Sequence, residues 1–211
     1  MTADSASGIL VHQIVFPLEV LGPGKRVGIW LQGCTIHCNG CISPDTWVFD
    51  ENTFMSFTEL RAQLKTFAKL NPDGVTISGG EPFDQAEKFL QLLKILHELG
   101  FKSIMVYSGY GFEHLKETFP DHLLLIDILV SEPFMLQEKN TKLWRGSDNQ
   151  EMHLTSKRAK EELDENQLND SLYSDQRPLQ IIQNPNSLFI AGIPKREDFE
   201  KIKKMHLFYS Y

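Results

Sequence analysis

The feature that most limits this chain's fold is an alternation between residues 26 and 130, where short apolar runs take turns with segments of helical period. RVGIWL (26–31) reads as a strand. Ser56 and Glu59 form a capping-box pattern ahead of Leu60, Leu64 and Phe67 at helical spacing. GVTIS (74–78) is a second strand, ended by Gly79-Gly80, and a helix follows with Phe89, Leu92, Leu93 and Leu96 on one face and Gly100 as its stop. FKSIMVY (101–107), a short helix over 113–119 and the strand LLLIDILV (123–130) complete the regular part. Such an order predicts parallel β/α units rather than a bundle or a sandwich.

Past Val130 the pattern weakens. Residues 131–155 read as irregular, and 156–178 are polar, charge-rich and poor in core formers, a solvated helix or mobile insertion to which no chemistry is assigned. LQII (179–182), SLFIAGI (187–193) and a helix over 197–205 form a C-terminal extension. With 211 residues, 41% of them hydrophobic, the chain fits a single domain (1–211), its core at roughly 20–150. The net charge of −7 argues against a general binder of phosphate backbones. The N-terminus lacks a basic region, and no apolar run reaches 18 residues, so neither a signal peptide nor a membrane span is expected and the location reads as cytoplasmic.

All three cysteines lie in QGCTIHCNGCISPDTW (32–47), where Cys34, Cys38 and Cys41 are spaced C-x3-C-x2-C. An odd number crowded this closely cannot staple distant elements, which points to metal binding or redox chemistry in a reducing compartment. One reading is a structural zinc site with His37 as fourth ligand. Zinc sites normally draw two ligands from each of two separated knuckles, and four ligands within eight residues would be strained. A ferredoxin-type cubane needs four cysteines, one per iron. Three thiolates on a four-iron cluster leave one iron open, as a catalytic metal keeps a position for its substrate. His37 and Asn39 are either hydrogen-bond donors near such a cluster or plain loop residues facing solvent.

SGGEP (78–82) follows the second strand, at the end where β/α folds place their sites. Paired glycines permit backbone angles closed to other residues and let polar backbone approach a ligand. Glu81 either supports the turn or accepts a charge-assisted bond from an ammonium, and Pro82 stiffens the exit. Alone, GGEP is an ordinary strand-to-helix turn.

Together, these two motifs make the chain resemble the radical S-adenosylmethionine enzymes. The flanking GPGKR (22–26), GIWLQGC (28–34), CNGC (38–41), SGY (108–110) and WRGSDNQ (144–150) are similar to segments of glycyl-radical-activating enzymes, with the activating proteins of anaerobic ribonucleoside-triphosphate reductase nearest. The likeness spans roughly residues 20–150. It implies a partial (β/α)6 barrel, an incomplete TIM-like fold, with a 4Fe-4S cluster on Cys34, Cys38 and Cys41. It further implies that S-adenosylmethionine is chelated by the open iron and held by Gly79, Gly80, Glu81 and Pro82. Ser108 belongs to the SGY segment, and Glu132, in VSEP (130–133), stands where the family carries an acidic residue near the ribose; both are assigned to the cofactor. Gly40 replaces the aromatic that many relatives place before the third cysteine, so adenine must stack elsewhere.

The implied chemistry is reductive cleavage of S-adenosylmethionine to a 5′-deoxyadenosyl radical that takes a hydrogen atom from a glycine of a partner enzyme. No side chain is assigned as catalytic, because cluster and cofactor carry the reaction. A low-potential donor such as a flavodoxin or ferredoxin is implied as reductant. Two alternatives stand beside this reading: a radical S-adenosylmethionine enzyme acting on another peptide, protein or small molecule, and a non-catalytic iron–sulfur or zinc module. Trp30, Trp47 and Trp144 are read as packing groups, His97 and His114 as surface or satisfied residues. Asp127 interrupts an apolar strand, as a buried hydrogen-bonded carboxylate or a substrate contact.

Overall fold

A computed structural model describes residues 7–163, 168, 178–184, 187–195, 198 and 201. In chain order its elements are β1 (Gly8–Leu18), β2 (Arg26–Leu31), β3 (Phe54–Ser56), α1 (Phe57–Ala68), β4 (Gly74–Gly79), α2 (Ala86–Glu98), β5 (Ile104–Tyr107), α3 (Phe112–Thr118), α4 (Pro120–Leu123), β6 (Ile128–Ser131), β7 (Glu151–Leu154), α5 (Lys157–Glu162), β8 (Gln180–Asn184) and β9 (Ser187–Ala191). Seven strands form one open sheet in the order β3-β1-β2-β4-β5-β6-β7. Its centre, β2-β4-β5-β6, is parallel. Antiparallel β1 and β3 extend one edge and antiparallel β7 the other.

The central strands are buried on both faces, as parallel strands under crossover helices must be. Alternation along each strand separates two cores. Val27, Ile29 and Leu31 of β2, Val75 and Ile77 of β4, Ile104 and Val106 of β5 and Leu129 of β6 face α1 and α2. On the other face, Trp30 packs with Val15, Leu18, Leu21 and Ala191, while Met105, Ile128 and Val130 pack with Leu154, Ala159 and Leu168. The expected capping box starts α1: the Ser56 hydroxyl oxygen accepts from Glu59 N–H, and the Glu59 carboxylate accepts from Ser56 N–H. In α2, Phe89, Leu92, Leu93 and Leu96 are all buried as their spacing predicts, each worth roughly 2 kcal/mol of transfer from water. Gly100 follows with φ +80°.

Several elements differ from the sequence reading. The eleven-residue β1 was not anticipated, because His12 and Gln13 break its apolar run; they are half-buried, and the His12 ring bonds Gln32 Oε1 at 2.9 Å. The fourth strand is shorter than LLLIDILV, since Pro120 starts α4 and the chain enters the sheet only at Ile128. Residues 131–155 contain β7, paired with β6. Residues 156–163 hold α5, and both Ala159 and Leu168 are buried, so the polar segment does supply core contacts. LQII and SLFIAGI form an antiparallel hairpin, β8–β9, rather than further β/α units. The helix expected over 197–205 lies outside the described residues apart from Asp198 and Lys201. Asp127 resolves as a buried, paired carboxylate: it accepts from Ile104 N–H at 2.8 Å and meets Arg158 at 3.2 Å. Among the described residues no helix is long and apolar enough to cross a membrane.

Candidate active site

Register places the two motifs together. Leu31 at the end of β2 lies beside Gly79 at the end of parallel β4, so the cysteine loop and the GGEP turn leave the sheet at the same edge. Their backbones interlock, with Gly80 N–H donating to Leu31 O at 2.7 Å and Glu81 N–H to Gly33 O at 2.9 Å. This contact is what the paired glycines serve. Gly79 has φ +98°, and a Cβ on Gly80 would sit 2.1 Å from Gly33 O.

The returning half of the cysteine loop is fixed to its start. Gly33 N–H and Cys34 N–H donate to Thr46 O and Trp47 O at 2.8 and 2.9 Å, and the Gln32 amide donates to Asp45 O and Val48 O at 3.0 and 2.7 Å. The half-buried thiols are all raised in pKa, chiefly by burial. Each also receives hydrogen bonds that favour the thiolate: from backbone at 37 and 36 to Cys34, from Phe134 to Cys38, and from Ser43 N–H and the Trp47 side chain to Cys41. The Glu81 and Asp84 charges add to the rise at Cys34.

This donor set fits a multi-iron cluster. Three soft donors that receive hydrogen bonds at sulfur share one cavity, which suits a thiolate-held iron cluster. His37, the potential fourth zinc ligand, instead stacks on Trp47 with ring centroids 4.7 Å apart. Both His37 and Asn39 are exposed.

The cavity brings together Cys34, Cys38, Cys41, Gly79, Gly80, Glu81, Ser108 and Glu132. Pro82 is not on its wall; it is buried at the start of the 3-10 turn Pro82–Gln85. Glu81 is 2% exposed, and its carboxylate accepts from Ser108 Oγ at 2.8 Å, Gly109 N–H at 2.7 Å and Phe83 N–H at 3.1 Å. Desolvation nevertheless raises its pKa to about 7. Of the two roles left open for Glu81, support of the turn is the one its bonds perform. Glu132 has φ +79°, and its carboxylate accepts from Phe112 N–H at 3.2 Å, holding the start of α3.

Other wall residues come from segments to which the sequence reading gave no site role. Gln150, the last residue of WRGSDNQ, accepts from Gly146 N–H and donates to Glu132 O, which knits 144–150 against 132–135. Ile190, Ala191, Gly192, Ile193 and Pro194 form a wall supplied by the C-terminal hairpin. The hairpin is anchored by Phe189 edge-on to Trp30 at 4.7 Å, and by the Gln180 amide, which donates to Pro17 O and accepts from Glu19 N–H. By contrast, Arg26 of GPGKR lies at the opposite end of the strands, fully buried.

Comparison with known proteins agrees with this geometry. The family described as 4Fe-4S single cluster domain matches residues 20–153. The anaerobic ribonucleoside-triphosphate reductase-activating protein of Salmonella typhi is 33% identical over 152 residues, 67% of this chain and 96% of its own length. Its namesake from Enterobacteria phage T4 is 28% identical over 142 residues, 65% of this chain and 90% of its own. The pyruvate formate-lyase-activating enzyme of Clostridium pasteurianum is 34% identical over 122 residues, 56% of this chain and 51% of its own. The chain belongs to the 4Fe-4S single cluster domain family, within its group of radical S-adenosylmethionine glycyl-radical-activating enzymes.

Proposed function

We propose that this protein activates a glycyl radical enzyme of the anaerobic ribonucleotide reductase type. The observation that carries the reading is a single cavity lined by Cys34, Cys38 and Cys41, by the Gly79–Glu81 turn and by Ser108 and Glu132. When bound there, the 4Fe-4S cluster and S-adenosylmethionine supply one-electron reductive cleavage of the sulfonium and abstraction of a hydrogen atom from a glycine Cα.

The chain's own residues hold and shield that chemistry. Cys34, Cys38 and Cys41 would hold the cluster, one thiolate to each of three irons. Gly79 and Gly80 would hold the amino-acid end of S-adenosylmethionine with their backbone, with Glu81 stiffening the turn and Pro82 setting its exit. Ser108 and Glu132 line the side assigned to the nucleoside. The Glu132 carboxylate accepts from Phe112 N–H through one oxygen, and its second oxygen can accept from a ribose hydroxyl without giving up that bond. The apolar hairpin wall, with Trp30 beneath it, would limit the access of water to the cavity. The open sheet is read as the partial (β/α)6 barrel of the family, the whole chain as one domain, a low-potential flavodoxin or ferredoxin as reductant, and the reducing cytoplasm as location.

The test is anaerobic reconstitution and dithionite reduction, followed by incubation with S-adenosylmethionine and the source organism's anaerobic ribonucleotide reductase. A glycyl-type doublet in the electron paramagnetic resonance spectrum, dependent on all three cysteines, is the expected result. A partner that stays diamagnetic while 5′-deoxyadenosine accumulates rejects this substrate and favours another peptide, protein or small molecule.

A further inference from the structure

We propose that Asp84 is a positioning residue for the cluster loop, one that sets both the orientation of Cys34 and the electrostatics at its sulfur. Asp84 sits in the turn Pro82–Gln85, directly after GGEP, yet its carboxylate bonds to nothing in that turn. One oxygen accepts from Thr35 N–H at 2.6 Å; the other accepts from Thr35 Oγ1 at 3.1 Å and from Tyr110 OH at 2.7 Å. Thr35 Oγ1 and Tyr110 OH are themselves 3.3 Å apart, closing a small network. Three loops that leave three different strands therefore meet on one half-buried carboxylate.

Glu81 joins the same turn to Gly33 through its N–H and to Ser108–Gly109 through its carboxylate. The residues on either side of Cys34 are thus both pinned to the segment 81–84. Charge-assisted bonds of this kind are short and directional, so the Cα–Cβ vector of Cys34 is set before any iron arrives. A carboxylate fixed on Thr35, the residue after Cys34, also matters electronically. An electron added beside a carboxylate costs Coulomb energy, which lowers the reduction potential of a thiolate-held cluster. Reduction of a sulfonium requires a potential toward the low end of the iron–sulfur range, so the Asp84 charge acts in the useful direction.

The inference rests on the reading that Cys34 ligates an iron–sulfur cluster, and the experiment separates the two. In the apoprotein, amide exchange at Thr35 followed by nuclear magnetic resonance should accelerate at least tenfold in Asp84→Asn, with the rest of the spectrum unchanged. After reconstitution, Asp84→Asn should bind the same iron per chain but show a midpoint potential shifted upward, and Asp84→Glu should return both readouts toward wild type. Thr35→Val, which keeps the charge and the backbone bond and loses the hydroxyl's contacts with Asp84 and Tyr110, should hold the wild-type potential. Unaltered Thr35 exchange in Asp84→Asn overturns the positioning role even if no iron is taken up. An unchanged potential, or an equal upward shift in Thr35→Val, overturns the electrostatic one. Failure of the wild type itself to assemble a cluster would count against the functional reading and leave the exchange result standing.

Discussion

Replacing Arg26 by Met separates a structural role from a functional one in the GPGKR motif. The guanidinium is 0% exposed and donates to Thr76 Oγ1 at 2.7 Å, Val75 O at 2.7 Å, Pro23 O at 3.0 Å and Ser103 O at 3.0 Å. A fifth, longer bond runs to Ser103 Oγ at 3.3 Å; the four shorter ones, from a charged donor at about 1.5 kcal/mol each, give about 6 kcal/mol. Against this stands the burial that lowers the Arg26 pKa to about 10, equivalent to about 3 kcal/mol at 1.36 kcal/mol per pH unit. The difference, about 3 kcal/mol, is what Arg26→Met should remove, since Met fills the volume of the stem but makes none of the bonds. In anaerobic urea unfolding of the apoprotein, with a slope of about 2 kcal/mol per molar, the midpoint should fall by about 1.5 M. Arg26 opens β2, and the site lies at its far end, about 16 Å along a six-residue strand. Iron content and cofactor cleavage by the fraction that stays folded should therefore match wild type. A midpoint within 0.3 M of wild type (roughly 0.6 kcal/mol) would refute the reasoning. So would normal stability with loss of iron, which would make Arg26 a site residue.

Further outcomes follow from the same structure. Ser in place of Cys34, Cys38 or Cys41 should each abolish cluster absorbance and cut bound iron several-fold, and a single replacement that keeps full iron would remove that residue from the ligand set. Glu81 has its folded pKa raised to about 7 by burial, so its stabilising contribution is complete below the unfolded value near 4.5 and is lost as pH rises through 7. Apoprotein stability should carry a component of about 3 kcal/mol falling across that window, absent in Glu81→Gln; identical pH profiles for the two proteins would contradict it. Phe189→Ala removes the edge-on contact with Trp30 and should speed proteolysis within 178–194 several-fold while the melting temperature of the sheet hardly moves. Asp127→Ala strips the acceptor from Ile104 N–H and the partner from Arg158, and should cost about 2–3 kcal/mol in the same urea assay.

The parts of the fold that were legible share a local cause. The capping box at Ser56 and Glu59, the apolar stripe of α2 and the glycine stop after it depend on neighbours within a turn or two, and the structure reproduces them. β1 was missed because its half-buried His12 and Gln13 read as a break, and His12 is satisfied by Gln32, twenty residues away. The hairpin strands were seen, but their antiparallel pairing and their seat on Trp30 were not, because pairing partners and docking faces leave no periodic trace.

What the sequence alone determined is the thiol chemistry: three cysteines within eight residues in a chain with no other cysteine, followed by a glycine pair at the end of the next central strand. Side-chain type and count are covalent facts that no packing alters. The tertiary structure decided which groups stand around those thiols. It set Gly80 against Gly33, turned Glu81 inward to Ser108 and Gly109, brought Asp84 to Thr35 and Tyr110, sent Arg26 to the far end of β2 and placed the hairpin along the cavity. The contacts of Gly80, Glu81 and Asp84 join residues many positions apart through the register of parallel β2, β4 and β5, and register is settled by the burial of both sheet faces at once, which no single segment encodes.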